Sequence, residues 1–262
     1  MPGIEKLLLG ILRYRVNTRW KLLEQFQRVK DNPEPTSVFF TCIDSRVLAT
    51  KFMDSQVGDN FVVRSAGNLI PHACNFSYES ATTEAGALEL GCIVNGVKHV
   101  VVCGHSDCKA MNLLYSMRKE VDNKEGGPLQ LWLKRHGTAS LEKFKLLTPE
   151  NEYKGPVPYQ TARKFNAFID PENRFNLADK LSQVNCLQQL QNVASYPFLK
   201  DLISREEVKL HAMWFDIYTG EVFMFSRMQQ RFIEINDQNI NHLLHDAYRK
   251  VEKIPITEQR RK

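Results

Sequence analysis

Four short runs rich in β-branched and aromatic residues set the terms for this 262-residue chain. They are Ser37–Cys42 (SVFFTC), Asn60–Ser65 (NFVVRS), His99–Gly104 (HVVVCG) and Val208–Asp216 (VKLHAMWFD). HVVVCG is the most restrictive, because a strand that is apolar on both sides must be covered on both faces, as in parallel sheets. The segments between the runs are long enough for crossover helices. One of them carries Leu177, Leu181, Val184, Leu187 and Leu190 at helical spacing over 177–193. Strands alternating with helices predict an α/β fold with a central, mostly parallel β-sheet flanked by helices. Four parallel strands are expected, plus one antiparallel edge strand, EVFMFS (221–226), after the Thr219-Gly220 turn.

Further helices are expected over 5–30 (ended by NPEP at 32–35), as a turn within Arg46–Asp54, around Tyr78–Val94 and over Asp107–Arg118. The polar stretch from Glu120 to Pro158 reads as an excursion with one short helix near Leu129–Lys134, and the tail from Phe232 to Lys262 as a helical arm. The chain is expected to be one domain: an N-terminal helical arm (1–33), a core (34–230) and a C-terminal arm and tail (231–262).

With 43% hydrophobic and 25% charged residues, the composition is that of an ordinary globular protein. The net charge of +5 has no aromatic-interleaved basic stripe, so no nucleic-acid partner is expected. No apolar window approaches the roughly 18 residues of a membrane span, so no membrane partner is expected. The N-terminus is basic and amphipathic, with no acidic residue between Glu5 and Glu24. It reads either as a mitochondrial address or as a helix laying Leu7, Leu8, Ile11 and Leu12 onto the body. The expected location is intracellular, in the mitochondrial matrix or cytosol, with the basic terminus favouring the mitochondrion. The two arms point to docking on a second subunit, giving a homodimer or a dimer-based oligomer.

The six cysteines are scattered, a pattern of thiols or metal ligands rather than a disulfide framework. Where the first strand stops, FFTCIDSR (39–46) places Cys42, Asp44 and Arg46 at alternate positions, one side of an extended chain. The third strand stops at CGHSDC (103–108). Open α/β sheets bind ligands beyond strand ends where neighbouring connections leave in opposite directions, so these two ends form one site if the strands are neighbours. His105 and Cys108 supply two zinc ligands from one turn. Strand alternation puts Cys103 on the side of His105, so spacing leaves the third ligand open between Cys42 and Cys103. Three protein ligands leave a fourth position for water. Arg46 can hold Asp44 in a charge-assisted pair. Cys92 and Cys186 read as buried thiols. The remaining histidines lack ligand spacing with this cluster; His242 and His245 alone sit at i, i+3, on the expected tail helix.

The blocks CIDSR (42–46), DNFVVRSAGN (59–68) and GHSDC (104–108) resemble those of the β-class carbonic anhydrases, and the order of elements matches over most of 34–230. The resemblance selects Cys42, with His105 and Cys108, as ligands of one Zn2+ per subunit. It implies reversible hydration of carbon dioxide to bicarbonate and a proton by attack of zinc-bound hydroxide. Asp44 and Arg46 would form a catalytic dyad beside the metal, with Asp44 able to bind the metal itself in an inactive form. Gln56 would line the substrate pocket, with Tyr78 and Phe61 as aromatic candidates. Lys109 stands where the family usually has glycine, and Ser65 where asparagine is commoner. Two other readings use the same residues: a CS2 or carbonyl sulfide hydrolase, and a non-catalytic zinc or thiol-redox protein.

Overall fold

A computed structural model of the chain describes residues 3–75, 77, 80–118, 126–148, 151 and 155–249. The elements run α1 (Gly3–Asn17), α2 (Arg19–Val29), β1 (Ser37–Cys42), α3 (Ala49–Phe52), β2 (Asn60–Ser65), α4 (Thr83–Leu88), β3 (His99–His105), α5 (Lys109–Met117) and α6 (Pro128–Phe144). There follow β4 (Val157–Gln160), β5 (Lys164–Ala167), α7 (Leu177–Ala194), α8 (Pro197–Ser204), β6 (Lys209–Phe215), β7 (Val222–Ser226), β8 (Arg231–Glu234) and α9 (Ile240–Tyr248).

The main sheet has the order β2-β1-β3-β6-β7-β8, its first four strands parallel and β7 and β8 antiparallel. The chain leaves β1 toward β2 on one side, and leaves β3 toward β6 on the other. The reversal therefore falls between β1 and β3, where an open α/β sheet offers a crevice. In that pair Thr41 lies opposite Cys103, which brings the ends carrying Cys42 and His105 side by side.

The larger core lies on one face of the sheet, where Val38, Phe40, Cys42, Val100 and Val102 meet Met111 and Leu114 of α5 and Leu181, Val184 and Leu187 of α7. Alternate residues Phe39, Val101 and Cys103 form a smaller cluster with Ala49, Phe52, Met213 and Phe215 on the other face. Cys42 and Cys103 therefore belong to opposite faces.

α7 is the central helix, and its buried surface includes Gln183, Asn185, Gln188, Gln189 and Asn192 as well as its leucines. Three of these amides, Asn185, Gln189 and Asn192, take the place of sheet and helix partners for an irregular loop. Gln189 Oε1 accepts from the Ile70 N–H (2.8 Å), Asn192 Nδ2 donates to the Ile70 carbonyl (2.7 Å), and Asn185 Nδ2 donates to the Gly67 carbonyl (2.9 Å). In that loop Gly67 (φ 72°) and Asn68 (φ 46°) are both left-handed, and a Cβ on Gly67 would lie 2.7 Å from Met111 Cε. Glycine takes this left-handed backbone without strain, and any side chain there would also have to displace the end of Met111.

Several expectations need correction. There are two antiparallel strands at the sheet edge, not one. The helix expected over 5–30 breaks at Thr18 into α1 and α2. α1 buries none of its residues, and Leu7, Leu8, Ile11 and Leu12 are each more than half exposed instead of lying on the body. The short helix expected at 129–134 is the 17-residue α6, followed by the unforeseen β4–β5 hairpin. The segment from 231 opens with β8 before α9, and 250–262 lie outside the described residues. The helix expected around Tyr78–Val94 begins at Thr83 and runs on from α4 as a π-helical turn, Glu89–Val94.

Candidate metal centre

Ligand atoms of Cys42, His105 and Cys108, all three buried, lie within 4.8 Å of one another. Cys42 comes from the last position of β1, His105 from the last of β3, and Cys108 from the residue that precedes α5. The two sulfurs are 3.8 Å apart. Two thiolates on one tetrahedral zinc, each about 2.3 Å from the ion, would be about 3.8 Å apart. His105 Nδ1 faces the Ser106 carbonyl at 2.8 Å, and that acceptor fixes the proton on Nδ1. Its Nε2 is buried with no hydrogen-bond partner, so a bare lone pair is held in an enclosed site beside two thiols. A buried acceptor without a donor is costly, and a soft divalent cation is the partner that suits two sulfurs and one imidazole nitrogen. The residues fit zinc.

The surrounding bonds hold this arrangement. Ser182 of α7 donates through Oγ to the His105 carbonyl (2.8 Å) and accepts from the buried Trp214 indole N–H (3.1 Å). Ser106 N–H donates to the Phe215 carbonyl, and Ser106 Oγ to Asp216 Oδ1. Arg64 donates to the carbonyls of Cys42 (2.9 Å) and Asp44 (2.7 Å), fixing the chain as it leaves β1. Contact with Cys108 lowers the pKa of the Cys42 thiol against the effect of burial, while the same contact, aided by burial, raises that of Cys108. The backbone N–H groups of Ala110 and Met111, at the start of α5, favour the charged form of Cys108.

Asp44 and Arg46 form a bidentate pair: Arg46 Nε donates to Asp44 Oδ1 (3.0 Å) and Nη2 to Oδ2 (2.8 Å). The backbone N–H of Arg46 also donates to Oδ1. These bonds to Arg46 hold the Asp44 carboxyl far below the usual carboxylate range. Asp44 is therefore a charged acceptor at every working pH.

The structure thus brings Cys42, Asp44, Arg46, His105 and Cys108 together and separates Cys103, whose thiol donates to the Gly104 carbonyl on the far face. Gln56 is exposed; its side chain bonds Gln25 of α2 (2.7 Å) and the Asp54 carbonyl, and makes no hydrogen bond to the cysteine–histidine group among the described residues. Phe61 pairs with Val38, four residues down β2 from the Ser65–Cys42 level, so it lies away from the site in this chain. Tyr78 lies outside the described residues. Lys109 is the exposed first residue of α5. Spacing assigns no role to Arg64, Ser182, Asp179 or Asp107; only Asp107, set between two candidate ligands, carries a signal of position.

Comparison with known proteins agrees with this geometry. The carbonic anhydrase family model matches residues 37–222. Beta carbonic anhydrase 1 of Caenorhabditis elegans is 43% identical over 251 residues, covering 92% of each chain. The β-carbonic anhydrase CcaA superposes with a TM-score of 0.66 at 25% identity, covering 90% of this chain and 93% of that one. A tetrameric β-carbonic anhydrase of Sordaria macrospora shares the fold, with a TM-score of 0.60 at 20% identity over 84% of this chain and 95% of its own. The chain belongs to the β-carbonic anhydrase family, whose reaction is the reversible hydration of carbon dioxide to bicarbonate.

Proposed function

We propose that carbon dioxide hydration occurs where Cys42, His105 and Cys108 hold one zinc ion per subunit, with Asp44 and Arg46 as the catalytic pair beside it. The observation that carries this reading is the buried, unpartnered His105 Nε2 next to two sulfurs 3.8 Å apart. Zinc bound there supplies a Lewis acid that makes water nucleophilic near neutral pH. Asp44 keeps one acceptor site, on Oδ2, beyond those taken by Arg46, and as a carboxylate it can accept a proton bridge from the attacking oxygen and aim it. Arg46 holds that carboxylate in a bidentate pair. Burial of the three ligands keeps bulk water from competing for them. Carbon dioxide gains one C–O bond, and one proton leaves to solvent. Gln56 remains a proposed pocket residue by resemblance only, its amide accessible from solvent and braced by Gln25.

We further propose a homodimer as the working unit. Its support is the apolar stripe of α1, left uncovered among the described residues, and an apolar groove of about 330 Å³ that Ile235, Ile240, Leu243 and Leu244 line. The same basic, amphipathic α1 supports a mitochondrial location, which import of a 1–30 fusion into isolated mitochondria would test. No helix among the described residues is long and apolar enough to cross a membrane. The deciding experiment is stopped-flow carbon dioxide hydration with zinc stoichiometry on the purified protein. One zinc per chain with catalysis is expected; one zinc per chain without catalysis overturns the proposal.

A further inference from the structure

The Arg46 guanidinium serves two carboxylates. Besides its bonds to Asp44, Nη1 donates to Asp107 Oδ2 (2.7 Å) and Nη2 to the Asp107 carbonyl (2.8 Å). Four of its five N–H groups are thereby committed. The bonds to Asp44 are local, between residues two apart on the same loop after β1. A pair of that kind can swing as a unit, so it does not by itself fix where Asp44 points. The bonds to Asp107 are different in kind. They tie the loop after β1 to the turn that links β3 to α5, the turn that carries two of the three ligands.

Asp107 is itself clamped. Its backbone is left-handed (φ 46°), a conformation aspartate and asparagine tolerate better than most residues. Its N–H donates to Asp179 Oδ1 (2.7 Å), and Asn112 Nδ2 of α5 donates to its Oδ1 (3.0 Å), leaving Oδ2 for Arg46. Asp179 is fixed in turn: Asn176 Nδ2 donates to its Oδ2 (2.7 Å), and its own N–H donates to Asn176 Oδ1 (2.9 Å) at the start of α7. A chain of hydrogen bonds therefore runs from the first turn of α7 through Asp107 to Arg46 and Asp44.

We propose that Asp107 is a positioning residue: by anchoring Arg46 it keeps the Asp44 carboxylate turned away from the metal. This rests on the reading of Cys42, His105 and Cys108 as zinc ligands and of Asp44 as the carboxylate that can swing onto the ion. Asp107→Asn preserves the shape, the tolerance for the left-handed backbone and an acceptor for Asn112, and replaces the charged oxygen that holds Nη1 with an NH2 group that cannot accept from it. Loss of one partly exposed ion pair is worth up to about fivefold in the balance between held and released arginine.

Two readouts test it. In metal-free, 15N-labelled protein at constant pH, the Arg46 Nε–H should exchange with solvent up to about fivefold faster in Asp107→Asn than in wild type. In cobalt-substituted protein, X-ray absorption should show more carboxylate ligation in Asp107→Asn than in wild type, with the metal retained, and Arg46→Ala should show the most. If Arg46→Ala gains carboxylate ligation while Asp107→Asn matches wild type in both readouts, Asp107 has no positioning role and the reading of Asp44 stands. If Arg46→Ala gains none, the reading of Asp44 fails, and the role of Asp107 with it. Loss of metal from Asp107→Asn also overturns the proposal, since it would mean that the carboxylate supports the ligand turn rather than the arginine.

Discussion

Ser182 links the folding of α7 to the position of a ligand, and replacing it with alanine separates the two contributions. Its hydroxyl is buried, donates to the His105 carbonyl and accepts from the indole of Trp214, which is fully buried. Ser182→Ala strands that indole N–H in the buried core, at a cost of about 1–3 kcal/mol. It also removes a neutral hydrogen bond to the His105 carbonyl, about 0.5–1.5 kcal/mol. Ser182→Ala should therefore lower stability by about 2–4 kcal/mol in urea unfolding at fixed protein concentration. In a Trp214→Phe background the orphaned donor no longer exists, so the same serine change should cost at least about 1 kcal/mol less. With the His105 carbonyl released, zinc affinity by competition with a chelator should fall by roughly tenfold. A Ser182→Ala protein within about 0.5 kcal/mol of wild type, or one equally destabilised in both backgrounds, would refute the argument that Ser182 satisfies two buried groups at once.

Zinc content distinguishes the two candidate cysteines: Cys42→Ser should lose the metal, while Cys103→Ser, altered on the opposite face, should retain one ion per chain. Arg46→Ala should keep its zinc and lose about 100-fold or more in carbon dioxide hydration, judged by stopped flow. Burial chiefly, and Arg135 secondarily, push His136 down to about 4. The folded chain thus binds this proton less readily than the unfolded one, so its contribution is fully present above about pH 6.5 and is lost as pH falls toward 4. The slope is up to about 1.4 kcal/mol per pH unit in that window, and chemical denaturation from pH 7.5 to 4.5 should show it reduced in His136→Gln. Gly67→Ala should lower stability by about 1–3 kcal/mol, because a left-handed residue acquires a Cβ against Met111.

The parallel strands and the candidate metal centre were readable because each rests on a short, local pattern: SVFFTC and HVVVCG for the strands, CIDSR and GHSDC for the cluster of potential ligands. What alternation could not supply was which face each strand end presents. His105 joins Cys42 and Cys108, whereas Cys103, two residues earlier, faces α3, and only the fold separates them. α6 escaped a pattern search because its inward face is built from Leu133, His136, Gly137, Ser140 and Phe144 rather than a leucine stripe. Gly137 is there for space: a Cβ would lie 2.7 Å from Leu114. Pro158 hid β4, since proline argues against a strand unless the strand is an edge, as this one is. The stripe on α1 was read correctly as apolar, but none of the described residues covers it. Asp107 could not be given a task from sequence because its contacts come from residues 46, 112 and 179, far apart along the chain.

The in-register pairing of β1 with β3 has a consequence for quality control during folding. Slipping β1 by a single residue would move Cys42 about 3.3 Å along the sheet and turn its thiol to the opposite side. The same slip would throw Val38 and Phe40 out of the main core. A misaligned molecule could therefore neither close its interior nor bring Cys42 beside His105 and Cys108, so the grouping of these three side chains itself reports that the two strands are aligned.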